Sequence, residues 1–436
     1  MKGMGANKIV EKNIMKKFIV SMGLAAAGTA SLQAAYTPDM SDTSKIWTVS
    51  ASLRSFYDDN YTTASNGPNK KGSFGIQVSP QFELNVPLTQ TELGMRYIYG
   101  LSYYEERDHL GQSPYDQTHQ LDLWADHAFN ERWHARAQDS FVSAQDPGLI
   151  NAPGTPGATL QRVQGNNIVN TAKISVTTDW TDLFSTVLSY KNSLYDYQNK
   201  GGNAANPSLA GLLNRDENLV SLDLQWHVMP TTTAFVGYQY GQVVYNGGEQ
   251  IGLPNFTSSS RDTRSHYGYV GVQHSFLDNL KGTVDVGVQY TEDYNDPTAK
   301  TQVNPYANAS LVYTYASGSY AEIGLTHTRN ATVIAAVSAG SLTLDQESTL
   351  VYGSVNHQLT SKLVANAMAS FQDSAYNGGL YNGQSDDYYS LGLSLTYKFT
   401  RNFSAEGGYN FDDYVSGIPG QAYTRNRVFL GVTATV

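Results

Sequence analysis

The sequence predicts an all-β fold: a transmembrane antiparallel up-and-down β-barrel of about 18 strands, with short turns at one end and long loops at the other. Three observations point there. Apolar residues recur at every second position over stretches of about a dozen residues, roughly twice the usual length of a soluble strand. Beyond the N-terminus no apolar run approaches the 18 or so residues that a membrane helix needs. The connections alternate strictly between about two to five residues and about nine to two dozen, an asymmetry that a soluble meander has no reason to keep.

Taken in order, the chain opens on a segment that reads as an export signal. Lys16 and Lys17 give the positive start, Phe18 to Ala27 the short apolar run, and Ser31-Leu32-Gln33-Ala34-Ala35 a cleavage site, so translation starting at Met15 fits equally well. Residues 1–34 are then the signal peptide, 35–45 a short periplasmic segment and 46–436 the barrel. Removing residues 1–34 takes away five Lys and one Glu, which moves the net charge from −10 to about −14 and argues against nucleic acid as a partner. Thirty-one Tyr, thirty-nine Gly and few charges suit strands with one lipid face and one wet face. With no Cys, the chain forms no disulfide and offers no thiolate nucleophile.

The segment from Phe74 to Tyr104 shows the repeating unit. Phe74, Ile76, Val78, Phe82, Leu84 and Val86 alternate with Gly75, Gln77, Ser79, Gln81, Glu83 and Asn85. Residues 87–91 turn the chain, and Leu93, Met95, Tyr97, Tyr99, Leu101 and Tyr103 carry the return, with Ile98 as the apolar exception. The same alternation places strands at 46–57, 73–86, 92–104, 118–129, 132–142, 167–179, 183–196, 217–229 and 232–245. It continues at 265–276, 280–293, 303–316, 319–330, 346–358, 362–373, 386–399, 402–413 and 424–436. Because the first connection is long and the strand number even, both termini are expected in the periplasm.

Short turns carry a shared signature, an outward aromatic or leucine on each side at a spacing of four: Phe129 and Trp133, Trp180 and Phe184, Phe276 and Leu280, Leu359 and Leu363, Phe399 and Phe403. With Trp47 and Trp226 these form a girdle at the periplasmic headgroup boundary. The chain closes on Arg427 to Val436, apolar at every second position, an edge that must pair with the first strand. Such an end resembles the signal read by the barrel-assembly machinery, with Val436 in place of the usual aromatic.

Asp139-Ser140-Phe141-Val142 with Gln145-Asp146-Pro147, the segment Tyr190–Tyr197 with its Tyr195-Asp196-Tyr197, and Arg425-Asn426-Arg427 resemble the putative β-barrel porin 2 group of outer-membrane proteins. The resemblance implies an outer-membrane barrel over nearly the whole mature chain. That group has no agreed substrate, so no site residue comes with it.

The inward parity lists the candidate pore lining: Arg54, Glu83, Arg96, Asp122, Asp126, Arg132, Arg136, Lys173, Lys191, Asp223, Asp285, Glu322, Lys398, Glu406, Arg425 and Arg427. Charges of both signs fit a wet interior, as barrels of roughly 16 to 18 strands enclose water. The longest loop, 143–166, resembles in position the constriction loop of general porins, and Asp146 and Arg162 are its candidate charges at the neck. Catalysis finds little support: there is no G-x-S-x-G or H-E-x-x-H, and His266 beside Ser265 points to the opposite face. His127, His274 and His357 recur two residues before short turns, which suits a half-wet interface, while His134 and His227 face inward. Asp58-Asp59, Glu105-Glu106, Asp386-Asp387 and Asp412-Asp413 read as solvated acidic loops without calcium-loop spacing, so neither metal nor cofactor is expected. The expected function is a passive channel for small hydrophilic solutes, in contact with outer-membrane lipid and lipopolysaccharide, with a homo-oligomer left open. The rival is a non-conducting barrel serving polysaccharide export, surface attachment or envelope structure.

Overall fold

The computed structural model describes residues 45–436 apart from 112, 145–164, 205, 253–255, 297–300, 333, 335–336 and 339–340. Its strands are β1 (Trp47–Asp58), β2 (Ser73–Pro87), β3 (Thr91–Tyr104), β4 (Tyr115–Ala128), β5 (Trp133–Ala144), β6 (Asn167–Thr181), β7 (Phe184–Tyr197), β8 (Arg215–Met229), β9 (Thr232–Tyr245), and a small loop hairpin of β10 (Gln250–Gly252) and β11 (Phe256–Thr257). There follow β12 (Thr263–Leu277), β13 (Leu280–Asp293), β14 (Gln302–Ala316), β15 (Ser319–Ala331), the two-residue β16 (Val337–Ser338), β17 (Ser341–Gln358), β18 (Leu363–Gly378), β19 (Ser385–Lys398), β20 (Phe403–Ser416) and β21 (Tyr423–Thr435). Two one-turn helices, α1 (Glu105–His109) and α2 (Leu209–Leu213), sit in long connections.

Without β10, β11 and β16, eighteen strands pair antiparallel to their neighbours, and β21 closes on β1 from Ser50↔Thr435 to Asp58↔Arg427. The last residue takes part, its N–H bonded to Val49 O at 2.8 Å. Closure removes both sheet edges. All eighteen expected strands are present, most within two residues of the expected ends. The parity also holds: Phe74, Ile76 and Val78 are 60, 50 and 42% exposed, whereas Gly75 and Gln77 between them are buried.

Short turns are built from local hydrogen bonds. Asn130 Oδ1 accepts from the N–H groups of Arg132 and Trp133 at 2.9 and 3.0 Å, and Thr181, Thr360 and Thr400 use their hydroxyls the same way. These side chains hold the turn without spending ladder groups. Gly318, at φ 70, supplies the left-handed residue in the turn between β14 and β15.

The wall is irregular at its long-loop end. β14 and β15 pair only from Ala316↔Ser319 to Ala307↔His327, although β14 runs on to Gln302 and β15 to Ala331. Above that point β15 leaves its neighbour, and the inward Gln289 of β13 takes over, bonding Arg329 N–H and C=O at 2.8 and 3.0 Å. Asn304 bonds Arg329 Nε at 2.9 Å, and Gln302 bonds Asn377 of β18 at 3.3 Å, so the tips of β15, β17 and β18 lean into the barrel. Pro305 lies in the stretch of β14 that pairs with β13 alone, where a residue lacking an N–H costs the ladder least. The expectation for Ala331 to Gly340, a packed loop or strand extension, is met in the described part: Thr332 and Ile334 are buried and β16 pairs with β17.

Candidate functional site

The barrel interior is a wall of charges, about half of them neutralised by a neighbour one or two strands away. Arg54 donates to Glu406, Arg96 holds Asp122 through Nε and Nη2 at 2.9 and 2.7 Å, and Arg136 lies 3.7 Å from Asp126. Asp122 also accepts from Ser140 Oγ at 2.7 Å. Glu83 takes a weak bond from Gln81 at 3.4 Å, and the Arg427 guanidinium sits 4.1 Å from the Phe56 ring centre. On the opposite wall the acids are met by neutral donors instead: Asp223 by Tyr269 OH, Asp285 by Asn308 at 3.3 Å, and Glu322 by Tyr352 OH at 3.1 Å. Lys398 falls on the inward parity at the short-turn end, and Lys173 and Lys191 lie side by side on β6 and β7. Asp146 and Arg162 lie outside the described residues.

Two fully buried carboxylates, Asp58 and Asp386, were not expected in the lining. Arg425 forks onto the fully buried Asp58 across the closing seam, with Nε bonds of 3.1 and 3.0 Å, and stands 3.6 Å from Asp412. Asp386, also fully buried, accepts from Tyr376 OH and Tyr414 OH and from Ser416 Oγ at 2.7 Å. Asp58 and Asp386 are therefore not solvated loop acids. β1 runs one residue past its expected end and takes in Asp58, while Asp386 opens the expected strand 386–399; both lie in the mouth, where a buried charge needs fixed partners. Asp59, bonded to Lys70 at 3.0 Å, is the half-exposed member of its pair.

A second feature is a set of inward aromatic rings laid flat on inward glycines of the adjacent strand. A Cβ on Gly94 would meet the Trp124 ring at 1.8 Å, one on Gly75 the Phe56 ring at 2.1 Å, and one on Gly237 the Tyr269 ring at 2.1 Å. Gly271 with Phe235, Gly324 with Tyr352 and Gly408 with Phe429 repeat it. Each glycine is thus the floor on which a ring rests without projecting into the lumen. The sequence signal, an aromatic on inward parity opposite a glycine in register, was legible only once the register was known.

At the long-loop end a roof forms where three long connections meet. Arg261, fully buried, donates to Leu212 O at 3.0 Å, to Leu344 O at 3.5 Å and to Thr332 O, and stacks on Tyr245 at 4.5 Å. Ile251, Phe256, Leu342 and Leu344 pack beside it. Arg215 anchors the same region through Glu217 at 2.7 Å and the Tyr195 ring at 3.8 Å. Below lies a cavity bordered by Lys191, Leu219, Tyr267, Gln289, Arg329 and Arg261. Glu249 ties the connections at 198–214 and 246–262 together, accepting from Ser208 Oγ at 2.8 Å and Gly201 N–H at 2.9 Å.

At the short-turn end the expected girdle faces outward. Trp47, Phe129, Trp133, Trp180, Phe184, Trp226, Phe276, Phe399 and Phe403 are all exposed. Trp133 and Trp180 meet edge to face at 5.9 Å. His127 and His274 share one arrangement: each bonds a threonine on the neighbouring strand at 2.8 Å (Thr91, Thr232) and stands edge-on to the aromatic two residues on (Phe129, Phe276). His357 bonds Tyr315 OH at 2.8 Å. The inward His227 sits between Ser185 and Thr233, both at 3.0 Å, with hydroxyls on each side. One constellation has the order of a catalytic triad, Thr349 to His327 at 2.8 Å and His327 to Glu347 at 2.9 Å. His327 and Thr349 are Cα partners in the β15–β17 ladder. Among the described residues no group of three or more His, Asp or Glu is arranged to hold a metal ion.

Several solved structures resemble the fold at low identity. Acinetobacter baumannii OccAB4 is 12% identical, with 90% of this chain and 99% of that chain covered and a TM-score of 0.43. A BenF-like porin from Pseudomonas fluorescens Pf-5 is 10% identical over 89% and 99%, at 0.45. Pseudomonas aeruginosa OccK2 (OpdF), in complex with glucuronate, is 10% identical over 89% and 98%, at 0.43. No curated protein matches the sequence. The family model described as "Putative beta-barrel porin 2" matches residues 46–436, the entire closed wall from before Trp47 to the last residue, and the chain belongs to that family.

Proposed function

We propose that this outer-membrane barrel is a passive channel for small hydrophilic solutes. The observation that carries the reading is the closed wall itself: apolar outside at every second residue and lined inside by charges of both signs. Planar-bilayer conductance of the refolded protein, with solute-exclusion size, tests it. A stable open step supports the channel; its absence across ionic conditions favours a barrel for polysaccharide export, attachment or envelope structure.

On this reading residues 1–34 are removed on export, 35–45 and both termini are periplasmic, and the girdle marks the periplasmic boundary. The barrel-assembly machinery reads the final strand, lipopolysaccharide surrounds the long-loop end, and no cofactor or catalysis is involved. Cysteines at Asn203, Gly248 or Asn382 of this Cys-free chain label from outside intact cells, and ones at Asn130, Asp278 or Ser361 do not; the reverse pattern inverts the orientation. Asp146 and Arg162 stay candidates for the neck, with Arg162→Glu shifting selectivity toward cations. The Arg261 roof is a second narrowing, supported by its place across the mouth.

A further inference from the structure

We propose that Lys173 and Lys191 form a binding site for a small oxyanion in the lumen, an inference that rests on the channel reading above and names its solute class. The two lysines are Cα partners on β6 and β7, and both fall on the inward parity. Like charges directly opposite one another in a sheet repel, and a fold tolerates this at a cost unless something of opposite sign lies between. Among the described residues neither ammonium has a hydrogen-bond or ion-pair partner, in contrast to Arg54, Arg96, Arg215, Arg329 and Arg425.

The surroundings sharpen the asymmetry. Arg136 on β5 adds a third cation whose field reaches Lys173, and its own acid, Asp126, stands off at 3.7 Å. The one acid that reaches Lys173 is Asp223, which accepts from Tyr269 OH and makes no ion pair with the lysine, so three cations face a single acid. Lys191 borders the cavity under the Arg261 roof, where the acids Glu217 and Asp345 are committed to Arg215 and Arg329 at 2.7 and 2.6 Å. A solute descending past the roof therefore meets two unneutralised ammonium groups on one wall. Such a pair suits a carboxylate or phosphate group, which accepts a charge-assisted bond from each.

Citrate and inorganic phosphate represent the two sources of that chemistry. Equilibrium dialysis of each against the detergent-solubilised full chain reads binding whether or not the pore is open. Saturable binding of either anion, weakened about tenfold or more in Lys173→Gln/Lys191→Gln and unchanged in Lys362→Gln, a change in an exposed short turn, is the expected result. Which anion is held tells carboxylate from phosphate. The double variant removes a repulsion and keeps the fold, as heat-modified gel mobility would verify. Absence of binding to the wild type, or equal binding by the double variant, overturns the site. Bilayer conductance is read separately, so failure of the channel reading shows as missing current and failure of the site as missing lysine dependence.

Discussion

Replacing Arg261 with methionine tests whether the roof is held by one guanidinium. The change keeps the length and apolar bulk of the side chain but removes its bonds to Leu212 O and Thr332 O, the long contact to Leu344 O and the stacking on Tyr245. A hydrogen bond to a charged group contributes about 1.5 kcal/mol at the low end, so the two close bonds together contribute about 3 kcal/mol. Relief of the guanidinium's burial offsets part of the loss, which makes this an upper value. A change of that size alters the closed-to-open ratio of the roof by roughly a hundredfold. Single-channel recording should then show a larger or longer-lived open level, and protease should cut the 332–340 connection faster. Arg264→Met, which removes only an exposed stacking contact on Tyr294, serves as the control. If Arg261→Met matches wild type in conductance, dwell time and cleavage, the roof is fixed by the apolar packing of Ile251, Phe256, Leu342 and Leu344 and not by the clamp.

Asp58→Ala strands Arg425 at the closing seam and should cost about 3–5 kcal/mol in urea unfolding of the lipid-reconstituted barrel, much of it recovered by adding Arg425→Leu; an unchanged midpoint refutes this. Gly94→Val lifts Trp124 from the wall, destabilising by about 1–3 kcal/mol and shifting its emission to the red; identical spectra would mean that the ring does not rest there. For Glu249, burial alone raises the carboxyl pKa, but hydrogen bonds from Gly201, Ser208 and Gly202 hold it below its ordinary value. A depressed folded pKa contributes stability present above the unfolded value of about 4.3 and lost as pH falls through the folded one. Hydrogen exchange in residues 198–214 should accelerate only on acidification below that range, and Glu249→Gln should remove the dependence.

Strand number, parity and girdle were legible because lipid imposes a strict period on one face. Where that constraint lapses, the reading shortened. β17 begins at Ser341 and not 346, and β18 runs to Gly378 and not 373. Beyond 373 the tip of β18, Ser374-Ala375-Tyr376-Asn377-Gly378, carries no run of alternation, whereas Ser341-Leu342-Thr343-Leu344-Asp345 of β17 does alternate but adjoins the apolar stretch 331–340, read as a packed loop or strand extension. These tips lean into the barrel, so parity no longer separates water from lipid. For the same reason Arg329, on outward parity, was missed although it bonds Asp345 at 2.6 Å inside the mouth. Arg261 and Asp58 fell in stretches read as loops, and nothing local distinguishes an arginine that caps carbonyls of distant connections from one in solvent. The Lys173–Lys191 pair was listed residue by residue, but its adjacency required the register of β6 on β7.

The parting of β14 from β15 also bears on how the chain keeps to itself. A barrel has no free edge, yet here five residues of β14, Gln302 to Tyr306, pair with β13 on one side only. Val303, 68% exposed on the outer face, makes the stretch attractive to any extended apolar segment that drifts against it. An open, greasy edge invites strand addition by a second chain, the first step toward disordered association while barrels crowd one another before insertion. Pro305 is one of those five residues and offers no N–H to an incomer, and Gln289 already holds the facing backbone at Arg329. The infolded tip is thus combined with a local guard against mispairing, so Pro305→Thr would be expected to spare the folded barrel and raise the fraction lost to aggregates during refolding.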